Sequence, residues 1–122
     1  MKTIIVITRE SDWNEAKLKG EYTKSTIDST LKDVGFIHCS NPDQTIEIAN
    51  RKYVDQDNVV ILYIDFEKVK SEVKFEGALS GRAGKFPHIY GPLNIDAVYR
   101  VDNLEKNKDG FFKATEKLSS LK

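Results

Sequence analysis

Two runs dominate the hydrophobic pattern of the chain: residues 3–8, which are β-branched and apolar apart from a threonine at each end, and residues 59–64. Runs of β-branched and other large apolar residues at this length are typical of central strands that are buried on both faces. Residues 72–76 alternate between charged and apolar side chains, which predicts a strand with one face exposed to solvent. The stretch 95–101 predicts a further strand. The pattern therefore indicates a sheet-rich chain in which two strands are fully enclosed.

Two helices are predicted between the early strands. The first begins at Ser11 or Asp12, both of which are favoured N-cap residues, and ends at Gly20. The second begins near Pro42, which suits the first turn of a helix, and continues to about Tyr53. Apolar residues recur every three to four positions along this second segment, so it has one face suited to packing on a sheet.

The remaining segments are more polar. Residues 21–33 predict a loop with one helical turn, and residues 107–110 form a turn. The pair Phe111-Phe112 begins either a short last strand or a docked tail, and a helix follows over 113–122. Because short helices separate the early strands and strands crowd together later, we expect an α+β fold with a mostly antiparallel or mixed sheet.

Composition narrows the class of protein. The 122 residues carry no formal net charge, which disfavours a general nucleic-acid or acidic-membrane binder. No segment is long enough to span a membrane, and the single cysteine fits a reducing compartment. We therefore expect one cytoplasmic domain over residues 1–122 that is a monomer or a weak dimer.

The two histidines of the chain lie in two short apolar segments rich in Gly and Pro, residues 35–42 and 86–93. Alternate residues of a strand face opposite sides, so His38 and Ser40 share a face and Cys39 points away from both. His88 and Tyr90 share a face in the same way. We expect the two segments to frame one cleft.

Several chemistries are open to these residues. Ser40 is also a good helix cap, and His38 could be a buried structural histidine. A metal site is disfavoured because His38 and Cys39 face apart. A serine nucleophile is disfavoured because residues two apart on a strand have Cα atoms about 6–7 Å apart, which is long for a Ser40–His38 hydrogen bond.

The third chemistry is a polar cleft that holds a nucleotide-like or other anionic small molecule. Residues 77–85 form a Gly-rich basic segment without P-loop spacing, which is either a surface loop or a lid whose arginine reaches an anion. Glu76 could act as a base or bind a ribose hydroxyl. The candidate ligand-binding residues are Thr8, His38, Ser40, Arg82, His88 and Tyr90.

Three segments resemble the domain-of-unknown-function 952 family of small, mostly bacterial proteins. They are Ile7-Thr8 followed by Trp13, which we expect to anchor the core; Gly35-Phe36-Ile37-His38-Cys39-Ser40; and Phe86-Pro87-His88-Ile89-Tyr90-Gly91-Pro92-Leu93. The strand at 59–65 lies where the family has its middle strand. The resemblance covers about residues 3–103 and leaves the tail 104–122 uncovered.

The family is similar to the ADP-ribosyltransferase-like fold, which includes RNA 2′-phosphotransferases with a similar His-x-Ser strand. The resemblance implies a split two-sheet α+β architecture with short flanking helices and a cleft for NAD. It implies a catalytic position at His38. The catalytic glutamate of many transferases has no clear counterpart in this chain, and Glu76 is named only as a candidate for that role. Val6 stands where members often have histidine, and valine cannot donate a hydrogen bond. This departure weakens the case for NAD chemistry and leaves open both an active enzyme and a protein that keeps the cleft without the activity.

Three hypotheses therefore remain open at the level of sequence. The chain is an active or inactive enzyme of the ADP-ribosyltransferase-like type, or a non-catalytic module that binds a small molecule or a protein, or a fold in which both histidines are structural.

Overall fold

The computed structural model describes residues 1–78, 81 and 83–121. Its strands are β1 (Thr3–Arg9), β2 (Glu21–Tyr22), β3 (Lys24–Thr26), β4 (Ser29–Thr30), β5 (Ile37–His38), β6 (Val59–Asp65), β7 (Glu72–Gly77), β8 (Lys85–Tyr90), β9 (Leu93–Asn94) and β10 (Val98–Asn103). Its α-helices are α1 (Glu10–Lys19), α2 (Leu31–Val34), α3 (Thr45–Lys52) and α4 (Glu116–Ser120). Short 3-10 helices span Pro42–Gln44, Phe66–Lys68 and Ile95–Ala97. Mixed α/β structure with antiparallel sheets is confirmed.

The first sheet has the antiparallel order β1-β6-β10, with Ile5 opposite Tyr63. Strands β1 and β6 are buried on both faces, as their uninterrupted apolar sequences predicted. Because side chains alternate along a strand, even-numbered and odd-numbered residues of β1 and β6 enter different cores. The sheet is thus the central layer of the molecule.

The first core takes the even-numbered residues of the two strands, such as Ile4 and Leu62, together with Trp13 of α1. Trp13 is buried there, which confirms its expected role as an anchor. The second core takes the odd-numbered residues, such as Ile61, and packs them against α3 and the C-terminal tail. The cavity described below borders this second side of the sheet.

The second sheet has the antiparallel order β5-β8-β7 and pairs His38 directly with His88. It meets the first sheet at a single bridge, where Ser40 and Ile5 exchange two backbone hydrogen bonds of 2.8 Å. Ile37 and Ile89 point from the second sheet into the first core, whereas the two histidines point to the opposite face. The two sheets are therefore joined just beside the residues of interest.

The helix predicted from Pro42 to about Tyr53 is confirmed, as a 3-10 turn followed by α3. The predicted start of α1 was wrong, because the helix begins at Glu10 with Arg9 as its N-cap. Asp12 is instead buried and accepts a hydrogen bond of 3.0 Å from the Arg9 side chain. The sequence rule failed here because a residue favoured as a cap can also serve as an ion-pair partner.

Two other stretches differ from the sequence-based expectation. Residues 21–33 contain the strands β2, β3 and β4 and the start of α2 rather than a loop with one turn. The strand expected over 95–101 begins only at Val98, because residues 95–97 form a 3-10 turn. A register shift between Val98 and Arg100 interrupts the pairing of β10 with β6, so simple alternation could not locate this strand.

The C-terminal tail docks on the second core. Phe112 and Leu118 are buried there, and the Asn50 side chain both accepts from and donates to the Phe112 backbone, at 2.6 and 3.2 Å. The observed helix α4 is shorter than the helix predicted over 113–122, because it begins at Glu116, after its N-cap Thr115, and ends at Ser120. The buried Tyr63 hydroxyl donates to Asp102 at 2.8 Å and lies 2.6 Å from the Thr115 hydroxyl. The docked-tail interpretation therefore holds.

Candidate functional site

A cavity of about 270 Å³ lies between the first sheet, the second sheet and α3. The odd-numbered face of β1 forms its apolar floor, and the last two turns of α3 form one wall. The opposite wall comes from β5, β8 and the residues that follow β5. The described lining residues are Ile5, Ile7, Thr26, His38, Cys39, Ser40, Ile48, Arg51, Lys52, Tyr53, Ala78, Phe86 and His88.

The two histidines lie side by side in this wall because β5 and β8 pair with His38 opposite His88. Their ring centroids are 5.5 Å apart, and the rings meet edge to face at 73°. No hydrogen bond within the described residues engages either nitrogen of His38, and His88 uses only its Nδ1. The pairing thus presents two imidazoles to one cavity.

The cavity has a positive lining. Arg51 and Lys52 enter it from the last turn of α3, and none of its described lining residues is an aspartate or a glutamate. Arg51 Nη1 lies 4.0 Å from the Glu47 carboxylate. Because this carboxylate is largely exposed, it offsets little of the positive charge of Arg51 at this distance. Burial lowers the pKa of Lys52, and the neighbouring Arg51 lowers it further. Such a lining favours an anion.

His38 is a half-buried histidine that stays neutral. Its pKa falls from 6.5 to about 4, first because burial removes water from the charged ring, then because of Lys52 and His88. A neutral imidazole has one nitrogen that accepts and one that donates a hydrogen bond. At neutral pH, His38 can therefore accept a proton from a ligand or a water molecule.

His88 is held from behind by a carboxylate. Its side chain is only 3 % exposed, and its Nδ1 lies 2.9 Å from Oε1 of Glu76. Tyr90 donates its hydroxyl to the same oxygen, and the hydrogen bonds from Tyr90 and His88 hold the pKa of Glu76 below its usual range. The ionised Glu76 can only accept, so Nδ1 of His88 carries a proton. The ring also stacks on Phe36, with centroids 4.0 Å apart.

Ser40 lines the cavity and is not the helix cap that its sequence position suggested, because Asn41 caps the 3-10 turn and Ser40 pairs with Ile5 of β1. Its hydroxyl lies 2.8 Å from the Thr45 hydroxyl, which donates to the backbone oxygen of Asn41 at 3.0 Å. Cys39 is buried, and burial raises the pKa of its thiol, so the thiolate needed for a nucleophile is strongly disfavoured. Ser40 is therefore a polar wall residue in a hydrogen-bonded chain.

The structure brings only part of the predicted site together. His38, Ser40 and His88 line the cavity, whereas Glu76 and Tyr90 are not among its lining residues and lie against His88. Thr8 is elsewhere, because its even position on β1 directs it away from the cavity, and there it accepts a hydrogen bond of 2.9 Å from Tyr22. Arg82 lies outside the described residues.

Val6 has the same parity as Thr8 and is buried in the first core. It therefore faces the side of β1 opposite to Ile5 and Ile7, which line the cavity. A histidine at this position would lie in the first core and would not reach a ligand in the cavity.

Sequence reasoning missed the two cations of the site. Arg51 and Lys52 end a helix, where basic residues commonly offset the helix dipole, so they carried no special signal. Their spacing was informative, however. Ile48 lies three and four residues before them, which places all three on one helical face, and all three line the cavity.

Within the residues that the structure describes, no three side chains among His, Cys, Asp and Glu are grouped so that they could hold a metal ion. Over the same residues, no helix combines the length and apolar character needed to cross a bilayer.

The structure resembles those of protein CC0527 from Caulobacter crescentus. A crystal structure of CC0527 and one of its double mutant each have a TM-score of 0.81 and 32% sequence identity, covering 96% of this chain and 98% of the other. The solution NMR structure has a TM-score of 0.74 and 34% identity, covering 91% of both chains. No curated protein matches the chain significantly. The model of the family described as "Protein of unknown function (DUF952)" matches residues 7–101, and the chain belongs to that family.

Proposed function

We propose that this protein binds a small anionic ligand, such as a nucleotide or a sugar phosphate, in the cavity between the two sheets and α3. One observation carries the proposal: Arg51 and Lys52 enter a cavity whose described lining contains no carboxylate. Guanidinium and ammonium groups are the usual partners of phosphate in proteins. The neutral His38 and the hydroxyl of Ser40 add hydrogen-bonding groups in the same wall.

The volume of the cavity and the apolar part of its lining narrow the range of candidate ligands further. A volume of about 270 Å³ is just below the range of about 300–1,000 Å³ that ligand pockets span. Ile5, Ile7, Ile48 and Phe86 offer apolar surface for a ring or for one face of a sugar. These properties favour a ligand the size of a mononucleotide over a fully enclosed dinucleotide.

The family resemblance adds NAD and ADP-ribose to the candidate ligands. The split into two three-stranded sheets supports the ADP-ribosyltransferase-like architecture that the resemblance implies. Position 6 faces the first core, so the replacement of histidine by Val6 removes no group from the cavity and does not bear on binding there. Glu76 is hydrogen-bonded to His88 and Tyr90 and is not a lining residue, so its role as the transferase glutamate has little support. Binding is thus favoured over transfer of ADP-ribose.

Thermal unfolding with adenosine monophosphate, ADP-ribose, NAD and inorganic phosphate tests this proposal, with titration calorimetry for any ligand that raises the midpoint. A ligand at about 100 times its Kd adds about 2.7 kcal/mol to the free energy of unfolding. Removing one charge-assisted hydrogen bond costs about 1.5–3 kcal/mol, so Lys52→Gln or Arg51→Gln should weaken binding roughly 10- to 100-fold.

Lys108→Gln is the matched control, because Lys108 is an exposed cation in the turn 107–110 and does not line the cavity. It should leave the affinity unchanged. No change in midpoint with any of the four ligands at millimolar concentration would refute the proposal. Equal affinity in the wild type and in Lys52→Gln and Arg51→Gln would place the binding site elsewhere.

A further inference from the structure

We propose that His38 and His88 form an acid–base pair that hydrolyses a phosphodiester held in the cavity. This inference rests on the proposed function, because it takes the bound anion to be a phosphate ester. It assigns hydrolysis of a phosphodiester to His38, which the family resemblance links to NAD chemistry, and gives His88 a chemical role beside it.

The geometry of the pair is the first support. The two residues are direct partners on antiparallel strands, and their ring centroids are 5.5 Å apart in the wall of one cavity. A general acid or base must lie within about 2.6–3.2 Å of the oxygen that it serves. Two imidazoles at this separation can each reach a different oxygen of one phosphoryl group.

The open nitrogens are the second support. Among the described residues, His38 makes no hydrogen bond through its ring and His88 makes one through Nδ1 alone. Buried or half-buried polar groups in folded proteins normally have hydrogen-bond partners. Within the part of the chain that the structure describes, the only fully buried polar side-chain atom without a partner is Ser25 Oγ, so the open imidazole nitrogens are accessible from the cavity and available to a ligand there.

The different environments of the two rings assign their roles. His38 faces Arg51 and Lys52 of α3, and together with burial Lys52 keeps its ring neutral, so it is the proton acceptor. His88 is backed by the Glu76 carboxylate of β7, which suits a ring that carries a second proton, so it is the proton donor. Enzymes that use paired acids and bases set the two groups apart through their surroundings in this way.

Other charged groups around the pair fit these roles. Tyr90 donates to Glu76 and so fixes the carboxylate behind His88. The Lys74 ammonium group lies 4.9 Å from the centre of the Tyr90 ring, on the side of the sheet that carries Glu76. Tyr90 and Glu76 are thus positioning residues, since neither lines the cavity.

The reaction consumes one water molecule and needs no cofactor. His38 takes a proton from water as the water oxygen forms a bond to phosphorus. The bond between phosphorus and the leaving oxygen breaks, and His88 donates its second proton to that oxygen. The products are a phosphate monoester and an alcohol, and solvent exchange returns the proton from His38 to His88. Lys52 and Arg51 offset the negative charge of the phosphoryl oxygens in the transition state.

The test uses adenosine 2′,3′-cyclic phosphate and bis(4-nitrophenyl) phosphate as substrates. Phosphorus NMR detects the monoester from the first, and absorbance detects nitrophenolate from the second. General acid–base catalysis contributes about 10²–10⁴-fold, so His38→Gln and His88→Gln should each lower kcat at least about 100-fold. Both variants keep Arg51 and Lys52, so both should still bind adenosine monophosphate, with His38→Gln weaker than the wild type by the hydrogen bond that His38 supplies; calorimetry measures the affinities in parallel.

The Glu76→Gln substitution leaves both imidazoles in place. It therefore tests whether Glu76 acts by positioning His88 rather than by stabilising the fold. It should lower kcat by less than either histidine substitution and leave KM unchanged, because the His88 ring loses the carboxylate that orients it. Thermal midpoints of all variants identify any loss through unfolding, and Lys108→Gln should match the wild type.

The outcomes separate the two proposals. Binding of adenosine monophosphate without hydrolysis of either diester overturns the acid–base inference and leaves the proposed function intact. Failure of the wild type to bind adenosine monophosphate, phosphate, NAD or ADP-ribose overturns both. Hydrolysis by folded His38→Gln or His88→Gln at the wild-type rate also overturns the inference, as does a kcat of Glu76→Gln equal to that of the wild type.

Discussion

Acidification from about pH 7 to pH 4 should destabilise the protein through His38. The pKa of this histidine is about 4 in the folded state and 6.5 in its unperturbed form. Between these values, the unfolded chain holds a proton that the folded chain does not. Stability therefore rises with pH across this window and is lost as pH falls through it. The destabilisation caused by His38 is complete only below about pH 4 and is absent above about pH 7.

The magnitude follows from the difference between the two pKa values. At 1.36 kcal/mol for each pKa unit, a fall from 6.5 to about 4 sets an upper limit of about 3 kcal/mol. The ring is only half-buried, so solvent screens part of this cost, and we expect about 1–1.5 kcal/mol. A loss of this size is readily measured, since domains of this length have a total stability of about 5–15 kcal/mol.

The measurement is urea unfolding at about pH 7 and pH 4.5, followed by the fluorescence of Trp13, the single tryptophan of the chain. Carboxylates also titrate in this range, so His38→Gln is compared at both values, and the difference between the two proteins isolates the histidine. Proton NMR of the imidazole gives its pKa directly. A midpoint near 6.5, or an equal loss of stability in His38→Gln, would refute the reasoning.

Three further substitutions test the packing around the site by the same unfolding assay. Phe112→Ala should cost about 3–5 kcal/mol because Phe112 is buried in the second core, whereas Phe111→Ala, at an exposed position, should cost under about 0.5 kcal/mol; equal costs would contradict the docked tail. Tyr63→Phe should cost about 1–3 kcal/mol, since it removes two part-buried hydrogen bonds that join β6 to Asp102 of β10 and to Thr115 of the tail, and an unchanged midpoint would exclude that role. Gly91→Ala should cost about 1–3 kcal/mol, because the residue has φ of 153° and a Cβ there would lie 2.5 Å from the Ser71 hydroxyl oxygen; wild-type stability would contradict this strain.

The alternation of side chains between the two faces of a strand was the most informative pattern in the sequence. It identified β1 and β6 as strands buried on both faces, and it placed His38 and Ser40 on the cavity side. The same rule separates Thr8 from the cavity, but only when one knows which face of β1 the cavity occupies. That choice depends on where α3 packs, which is a long-range property of the fold.

The direct pairing of His38 with His88 could not be read from the sequence. The two residues are separated by fifty positions, and their juxtaposition depends on the register of β5 against β8. The sequence did suggest that the two histidine segments lie close together. However, a shift of one residue in the register of β5 against β8 would have placed one of the histidines on the core side of the sheet. Register is set by the packing of Ile37 and Ile89 in the first core, which local patterns do not report.

Side chains with two plausible uses account for the other differences. Arg51 and Lys52 look like ordinary cations at a helix end, and only their position against the cavity distinguishes them. Asp12 looks like a helix cap and is used in an ion pair with Arg9. Phe112 looked equally suited to a strand or a docked tail, and the hydrogen bonds from Asn50 decide for the tail.

The sharing of β1 and β6 between two cores has a consequence for how the molecule unfolds. Each strand contributes alternate side chains to opposite layers, so separating it from one layer also exposes the other to water. The two layers should therefore lose their structure in one cooperative transition, with equal calorimetric and van't Hoff enthalpies. A ligand that binds only the folded cavity would then slow amide hydrogen exchange in the distant layer around Trp13 as much as beside itself.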